Sequence, residues 1–415
     1  MKKENTNPLW TRDFTIITLG SVVSMVGNSL SGFAMSLMVL DYTSSSLFYA
    51  IYIMVFTLPQ LIVPVFSGAI LDRFSRKKTI YTLDYISSLL YLAVGLLLFN
   101  GWFNYPLFAL FVFILGSIQS IYQVAYQSFY PMLISEGNFS KAYSVASMLE
   151  SVTVFIVPVS TLVYNVFGIG PLMLANALCF FIAATVETRI KTEEKYVTDQ
   201  KATEEKNKIH QMLSDTKKGF EYLWQEKGLF FIALYFLFSS ISGGASNVIY
   251  LPYMKANFAH GEYYYLLFGG FMMLGRVITS SWHYRNKLPV NKKFLITFIV
   301  YTTLSLINGA LLYLPLTIMF ILGFIQGCMG VTSYTIRISA TQSYVPDEKK
   351  GRFNGAFNML SVLGCLIGEG IAGVLSELMD MRLVVVLVEV VVFASAVLIM
   401  GGGRKSVAPI YNREQ

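Results

Sequence analysis

"GAILDRFSRKKTI", Gly68–Ile80, breaks two long apolar stretches with Asp72 followed by Arg73, Arg76, Lys77 and Lys78. On either side, Leu47–Leu71 and Thr79–Phe99 are each long and apolar enough for a helix to cross a hydrocarbon core, which takes about 20 residues. The stretch therefore reads as a charged turn between two spans. Lys and Arg hold such a turn on the cytoplasmic side of a membrane. That rule accounts for the four basic residues and leaves Asp72 unexplained.

Working outward, the same alternation of apolar run and polar break recurs along all 415 residues. Twelve spans emerge. The first six are Phe14–Leu40, Leu47–Leu71, Thr79–Phe99, Tyr105–Gln127, Ala142–Val166 and Ile169–Val186. The second six are Gly228–Met254, Tyr263–Trp282, Phe294–Leu314, Leu316–Ile338, Phe353–Leu375 and Leu383–Met400. A chain that is 55% hydrophobic and 13% charged, with mean hydropathy +0.57, lies outside the balance of a soluble domain. The runs are continuous, not alternating, so the spanning structure is helical and the fold class is an all-α polytopic membrane protein. The first run is too long for a signal-peptide core and carries no small-residue cleavage site, so it is expected to stay as the first helix.

Of the 31 Lys and Arg residues, 27 fall in the terminal or inter-span segments that share one side when the N-terminus is inside. Lys255 and Arg382 fall on the other side, and Arg276 and Arg337 within spans. Both termini are expected in the cytoplasm and the protein in the cell membrane. The net charge of +7 is spread over these flanking segments with no soluble domain to present it, which argues against nucleic acid as a partner. Cys179, Cys328 and Cys365 lie in apolar spans without paired spacing. His210, His260 and His283 are scattered. Neither a disulfide framework, a metal site nor a His-based catalytic centre is expected, and no "GxxxxGK[ST]" nucleotide loop occurs.

The polar stretch Thr188–Lys227, containing "KTEEKYVTDQKATEEKNK", divides the spans six and six. The expected organisation is a six-helix bundle over 1–187, a linker over 188–227 and a second bundle over 228–415. In the distal linker, "IHQMLSDTKKGFEYLW" sets Ile209, Met212, Leu213, Phe220 and Leu223 at helical spacing beside Lys208, Lys217 and Lys218. An amphipathic helix on the inner membrane face is expected there. The halves also echo each other: "QSFYP", Gln127–Pro131, and "QSYVP", Gln342–Pro346, lie 215 residues apart, each closing a fourth span. Ala142 and Ala356 follow at nearly the same offset. A duplicated six-helix unit explains this, and such repeats build secondary transporters with a central substrate site.

These residues resemble the major facilitator superfamily over essentially the whole chain. "GAILDRFSRKK" resembles its signature after the second span, with Gly68, Asp72, Arg73, Arg76 and Lys77 matching by position. "VPDEKKGRFNGA", Val345–Ala356, resembles the tenth-to-eleventh loop of the drug-efflux branch, with Pro346, Gly351 and Arg352 in register. "TKKGFEYLW" resembles the segment before the seventh span in the macrolide-efflux-like subgroup. The chain departs from the pattern at Ser75, where the family has a turn glycine and serine would be costly at positive φ. It departs again in "FIVPVSTLVY", which keeps Pro158 without the glycines of proton-coupled exporters. The resemblance implies a latch in which Asp72, positioned by Arg73 or Arg76, meets the start of the eleventh span near Arg352.

Ionisable residues inside a bilayer are costly and are functional candidates. Glu369, in "GCLIGEGIAG", and Glu150 are the candidate proton-coupling acids, and Arg276 and Arg337 their candidate counter-charges or anion receptors. Asp84 and Glu389 fall on the third and twelfth spans, peripheral in this family, where packing is expected. Asn28, Gln119, Gln123 and Tyr126 are candidate cavity residues, the last three at helical spacing; Tyr122 and Tyr250 are candidates for stacking on a ligand. The resemblance implies an exporter of small amphiphilic compounds such as drugs or antibiotics, exchanging them for protons by alternating access. A facilitator importer or lipid-related transporter is the alternative. The partners expected are the bilayer, the substrate and the proton. No cofactor, metal or enzymatic activity is expected, and the protein is expected to work as a monomer.

Overall fold

The computed structural model describes residues 8–71, 74–135, 138–192, 194, 214, 217–286 and 288–413. Among these, every regular element is a helix. The first six long helices are α1 (Arg12–Thr43), α2 (Ser46–Leu71), α3 (Arg76–Phe99), α4 (Tyr105–Phe129), α5 (Phe139–Phe167) and α6 (Ile169–Glu187). The next six are α7 (Lys227–Asn257), α8 (Gly261–Arg285), α9 (Lys293–Leu311), α10 (Leu316–Tyr344), α11 (Asp347–Leu378) and α12 (Met381–Ser395), and α13 (Arg404–Tyr411) closes the chain. Helices α1–α12 take up the twelve expected spans. Among the described residues, ten helices are long and apolar enough to cross a membrane. Of the other two, α5 is described over part of its length by its backbone alone, and α8 is diluted by Arg276, Gly269, Gly270 and Gly275.

The helices are built inside out relative to those of a soluble protein. On α3, Leu89 (68% exposed), Leu92, Leu96 and Phe99 recur at helical spacing on the outward face, while Asp84, Ser87, Ser88, Tyr91 and Gly95 are buried. On α12, Leu383, Leu387, Val390, Val391 and Leu398 beyond its end face outward, and Glu389 is buried. An apolar outside is the pattern that lipid as solvent requires, and polar groups on these helices are buried among the apolar side chains of the core.

Two compact units form. The first holds α1, α2 from Val55 onward, and α3–α6; the second holds Ser45–Met54 with α7–α13. Lipid supplies no hydrophobic drive for helices to associate, so close packing through small residues must do so. In the first unit Gly27 lies against Asn176, whose Nδ2 donates to Ser31 Oγ at 2.6 Å. Gly116 lies against the Phe56 carbonyl. In the second, Gly244, Gly364 and Gly368 bring α7 and α11 together against the backbone of Cys365, Leu237 and Ile241.

The two fourth-to-fifth connections are tied in similar fashion. Tyr130 Oη donates to the Ala142 carbonyl at 2.9 Å, and Gln342 Nε2 donates to Asn354 Oδ1 at 2.7 Å. Residues 217–225 of the linker are helical, as their spacing implies. Tyr222 and Leu223 are buried in the core of the second unit, and Gly219 lies against the Arg352 carbonyl of α11, so this helix packs on protein. Ile209, Met212 and Leu213 lie outside the described residues. Helix α13 has no counterpart among the expected elements, which end with the span Leu383–Met400. It forms where Val407, Ile410 and Tyr411 are buried, with the Tyr411 hydroxyl 3.1 Å from that of Tyr301.

Gly243 and Gly244 separate packing from backbone propensity. A Cβ on Gly244 meets the Cys365 backbone, whereas one on Gly243 meets open space. Gly244→Ala is expected to lower stability by about 1–3 kcal/mol, and Gly243→Ala to leave it unchanged or raise it by up to about 1 kcal/mol. Thermal unfolding of the detergent-purified protein measures both.

Candidate functional site

The first unit encloses a cavity of about 210 Å³. Helix α1 contributes Ser21, Ser24 and Asn28, α4 contributes Gln119, Tyr122, Gln123 and Tyr126, and α3 contributes Asp84 and Ser87. Five of the residues expected to face a substrate, Asn28, Gln119, Tyr122, Gln123 and Tyr126, thus share one cavity. Tyr122 and Tyr126 stack at 5.9 Å between ring centroids, and Tyr126 and Tyr130 at 5.3 Å, giving α4 a continuous aromatic strip. Such a lining offers hydrogen bonds to a polar group and ring faces to an apolar or cationic one.

Asp84 departs from the peripheral role expected of the third span. It is 1% exposed yet lines this cavity, and Glu187, the last residue of α6 and 0% exposed, lies within hydrogen-bonding reach of it. The pairing follows from local structure: α3 and α6 pack along their length, and one residue away the Tyr85 hydroxyl lies 3.1 Å from Thr185 Oγ1. Gly20 of α1 leaves the room that the Glu187 side chain occupies. Asp84, Ser87 and Ser88 at positions i, i+3 and i+4 were the sequence signal for this polar face. Glu187 carried none, because it lies just past Val186, the last residue of the expected sixth span, and just before the linker.

In the second unit, Glu369 is buried on α11, with Cys365 Sγ donating to its Oε1 at 3.4 Å and no partner on Oε2. Glu389 sits in a polar network. Its Oε1 accepts from Ser242 Oγ and from Asn308 Nδ2 at 3.1 Å, and Gln326 Nε2 donates to Asn308 Oδ1 at 2.6 Å. Arg337 is half-buried, and its guanidinium lies 4.9 Å from the Phe236 ring, 4.7 Å from Phe357 and 5.5 Å from Tyr334. Three ring faces stabilise the cation. Arg276 is exposed on α8. Tyr250 is packed in the core of the second unit, edge-on to Phe268 at 6.0 Å, and so is not free to stack on a ligand there. Of Glu150, on α5, only the backbone is described.

The model of the Major Facilitator Superfamily matches residues 17–369. The chain belongs to that superfamily. A relative, the uncharacterized MFS-type transporter YkuC of Bacillus subtilis (strain 168), is 25% identical over 257 residues. The match covers 61% of this chain and 59% of YkuC, so the chain spans less than two thirds of that relative's length. Among solved structures, the peptide transporter POT in complex with alafosfalin superposes with a TM-score of 0.70 at 11% identity, covering 96% of this chain and 95% of that one. The nucleoside transporter NupG gives 0.64 at 12% identity, over 95% and 98%. A bacterial homologue of the iron transporter ferroportin, outward-facing with soaked iron, gives 0.59 at 13%, over 95% and 98%. These likenesses are of fold, and the fold serves different cargoes.

Within the superfamily's signature turn, Asp72 and Arg73 lie outside the described residues, and Gly68 is described by its helical backbone alone. The part that is described resolves the question of Ser75. Its φ is −58°, so the turn asks for no left-handed residue here, and serine acts as the N-cap of α3. Ser75 Oγ accepts from Lys78 N at 3.1 Å and donates to Glu194 Oε1 at 2.7 Å. Glu194 also accepts from Arg76 N at 2.8 Å and Lys77 N at 2.9 Å. A carboxylate thereby meets the free N–H groups at the positive end of the helix dipole. The side chains of the basic residues reach elsewhere: Arg76 Nη1 donates to the Ser128 carbonyl at 3.1 Å and Lys77 Nζ to the Ile190 carbonyl at 3.0 Å. Asp13 of α1 secures the same strip, accepting from Thr192 N at 2.8 Å and Thr192 Oγ1 at 2.6 Å. The start of the expected linker is therefore laid down on the first unit. Glu194→Ala and Ser75→Ala are each expected to cost about 1 kcal/mol, with the double variant costing less than the sum because the two groups bond each other. A thermal double-mutant cycle checks this.

Proposed function

We propose that this protein exports small amphiphilic compounds in exchange for protons, by alternating access. The observation that carries the reading is the polar, tyrosine-lined cavity of the first unit, whose lining, among the described residues, includes a carboxylate, Asp84, and no lysine or arginine. Such a wall suits compounds that combine aromatic or apolar surface with a neutral or positive polar group. The drug-efflux and macrolide-efflux-like resemblance of "VPDEKKGRFNGA" and "TKKGFEYLW" supports the outward direction.

Glu369 is the coupling acid proposed for the second half. It is buried, and two close glycine contacts flank it on α11, so its side chain sits at a tight α7–α11 junction. Arg337, half-buried among three aromatic rings, is the positive charge proposed for that half. Asp72, at the end of α2, is proposed to bias the transport cycle by bonding the N-terminus of α11 near Arg352 in one state only, since a contact present in both states would shift nothing. Both termini are assigned to the cytoplasm from the distribution of Lys and Arg, and the protein is taken to act as a monomer in the cell membrane.

Everted vesicles bearing the protein, given an inside-acid proton gradient and ethidium as the probe, test the reading. Ethidium is expected to accumulate in them and to leave when the gradient is collapsed. Glu369→Gln is expected to reduce gradient-driven accumulation by more than an order of magnitude, and unchanged accumulation would remove Glu369 from the coupling step. Gradient-driven loss of ethidium from the vesicles would favour an importer.

A further inference from the structure

We propose that Asp84 and Glu187 hold one exchangeable proton between them, forming a proton site in the first half of the molecule that opens on the α1–α4 cavity through Asp84. Three of the four carboxyl oxygens have no hydrogen-bond partner, namely Asp84 Oδ2 and both Glu187 Oε1 and Oε2. Both side chains are almost completely buried. An acid this far from water normally gathers donors, as Glu389 does from Ser242 and Asn308. Here the neighbour of each carboxyl group is the other carboxyl group.

Two ionised carboxylates in contact away from water repel strongly and leave their lone pairs unfilled. A single proton removes both problems, because one acid becomes the donor that the other needs. Among the described residues, no Lys or Arg side chain is placed against either carboxyl group. Gly20 and Ser21 of α1 carry no charge, and the Ser21 hydroxyl donates to the Ile17 carbonyl at 2.8 Å. Tyr122 is the ionisable group that α4 turns toward the pair, and α5 lines the adjoining cavity with Ala146 and Leu149. Of the cations near this end of α6, Lys77 donates to the Ile190 carbonyl, three residues beyond Glu187, and Arg189 and Lys191 are exposed.

Because Asp84 belongs to the cavity wall, proton occupancy sets the charge that a cavity ligand meets. With one proton the pair carries one negative charge; on losing it to water the pair carries two. The role of this proton in transport rests on the exchange reading above, whereas its presence does not.

The experiment uses the full-length purified protein and needs no substrate. Infrared difference spectra at neutral pH, wild type minus variant, are expected to show the same single protonated-carboxyl stretch for Asp84→Asn and for Glu187→Gln. A band absent from both differences, or present in only one, overturns the shared proton. Dicyclohexylcarbodiimide provides a second readout on the unmutated chain, should a variant fail to fold. The O–H of a protonated carboxyl adds across its C=N bond to give an O-acylisourea, which rearranges to a stable N-acylurea. Peptide mass mapping is expected to find the adduct on Asp84 or on Glu187 and never on both in one molecule. No adduct on either, or doubly labelled molecules, overturns the proposal. A protein that moves no ethidium yet passes these measurements loses the exporter reading and keeps the proton site.

Discussion

Lipid solvates the outside of this protein, and most of its architecture follows from that. Leu89, Leu92, Leu96 and Phe99 cover one face of α3 because hydrocarbon accepts them at no cost, and the same condition forbids polar groups there. Asp84, Asn176 and Glu389 are accordingly buried on inward faces of their helices, while many hydroxyls are satisfied within their own helix, as Ser21 is by the Ile17 carbonyl. Since lipid gives helices no hydrophobic reason to meet, contact must come from shape. Glycines at Gly27, Gly116, Gly244, Gly364 and Gly368 let backbones approach closely enough for those polar partners to be reached.

How well each buried charge is provided for then distinguishes scaffold from machinery. Glu389 receives two donors on one oxygen and belongs to a network running through Asn308 to Gln326, the arrangement of a group that holds helices α7, α9, α10 and α12 in register. Arg337 is enclosed by three rings on α7, α10 and α11. Glu369 has one thiol donor, and Glu187 has no donor on either oxygen. A buried acid left short of donors is expensive unless something intermittently fills it, and a transporter that moves protons is one setting in which that cost is useful.

The signature turn illustrates how a motif residue can be read correctly as a departure and wrongly as a defect. Serine at the glycine position suggested strain, because the comparison was with a left-handed turn. In the folded chain position 75 has an ordinary negative φ, and the hydroxyl is useful as a helix cap. Its partner Glu194 lies 119 residues away in a charge run that reads as solvated linker, so no local pattern could have joined them. Asp84 and Glu187 were likewise separated by 103 positions, one on a helix taken as peripheral and the other at the edge of a linker.

The sequence by itself determined the all-helical membrane class, the apolar spans and the superfamily, because hydrophobic runs, basic flanks and the turn signature are local properties that survive without contacts. It also picked out Asn28, Gln119, Tyr122, Gln123 and Tyr126, since helical spacing alone puts the α4 residues on one side. Tertiary structure decided which acids meet, which are provided with donors, where Tyr250 and residues 217–225 pack, and that Gly401–Tyr411 ends in a helix. Those outcomes depend on close approach between segments distant in the chain, which is set by the glycines and side-chain volumes of several helices at once and is written in no single stretch.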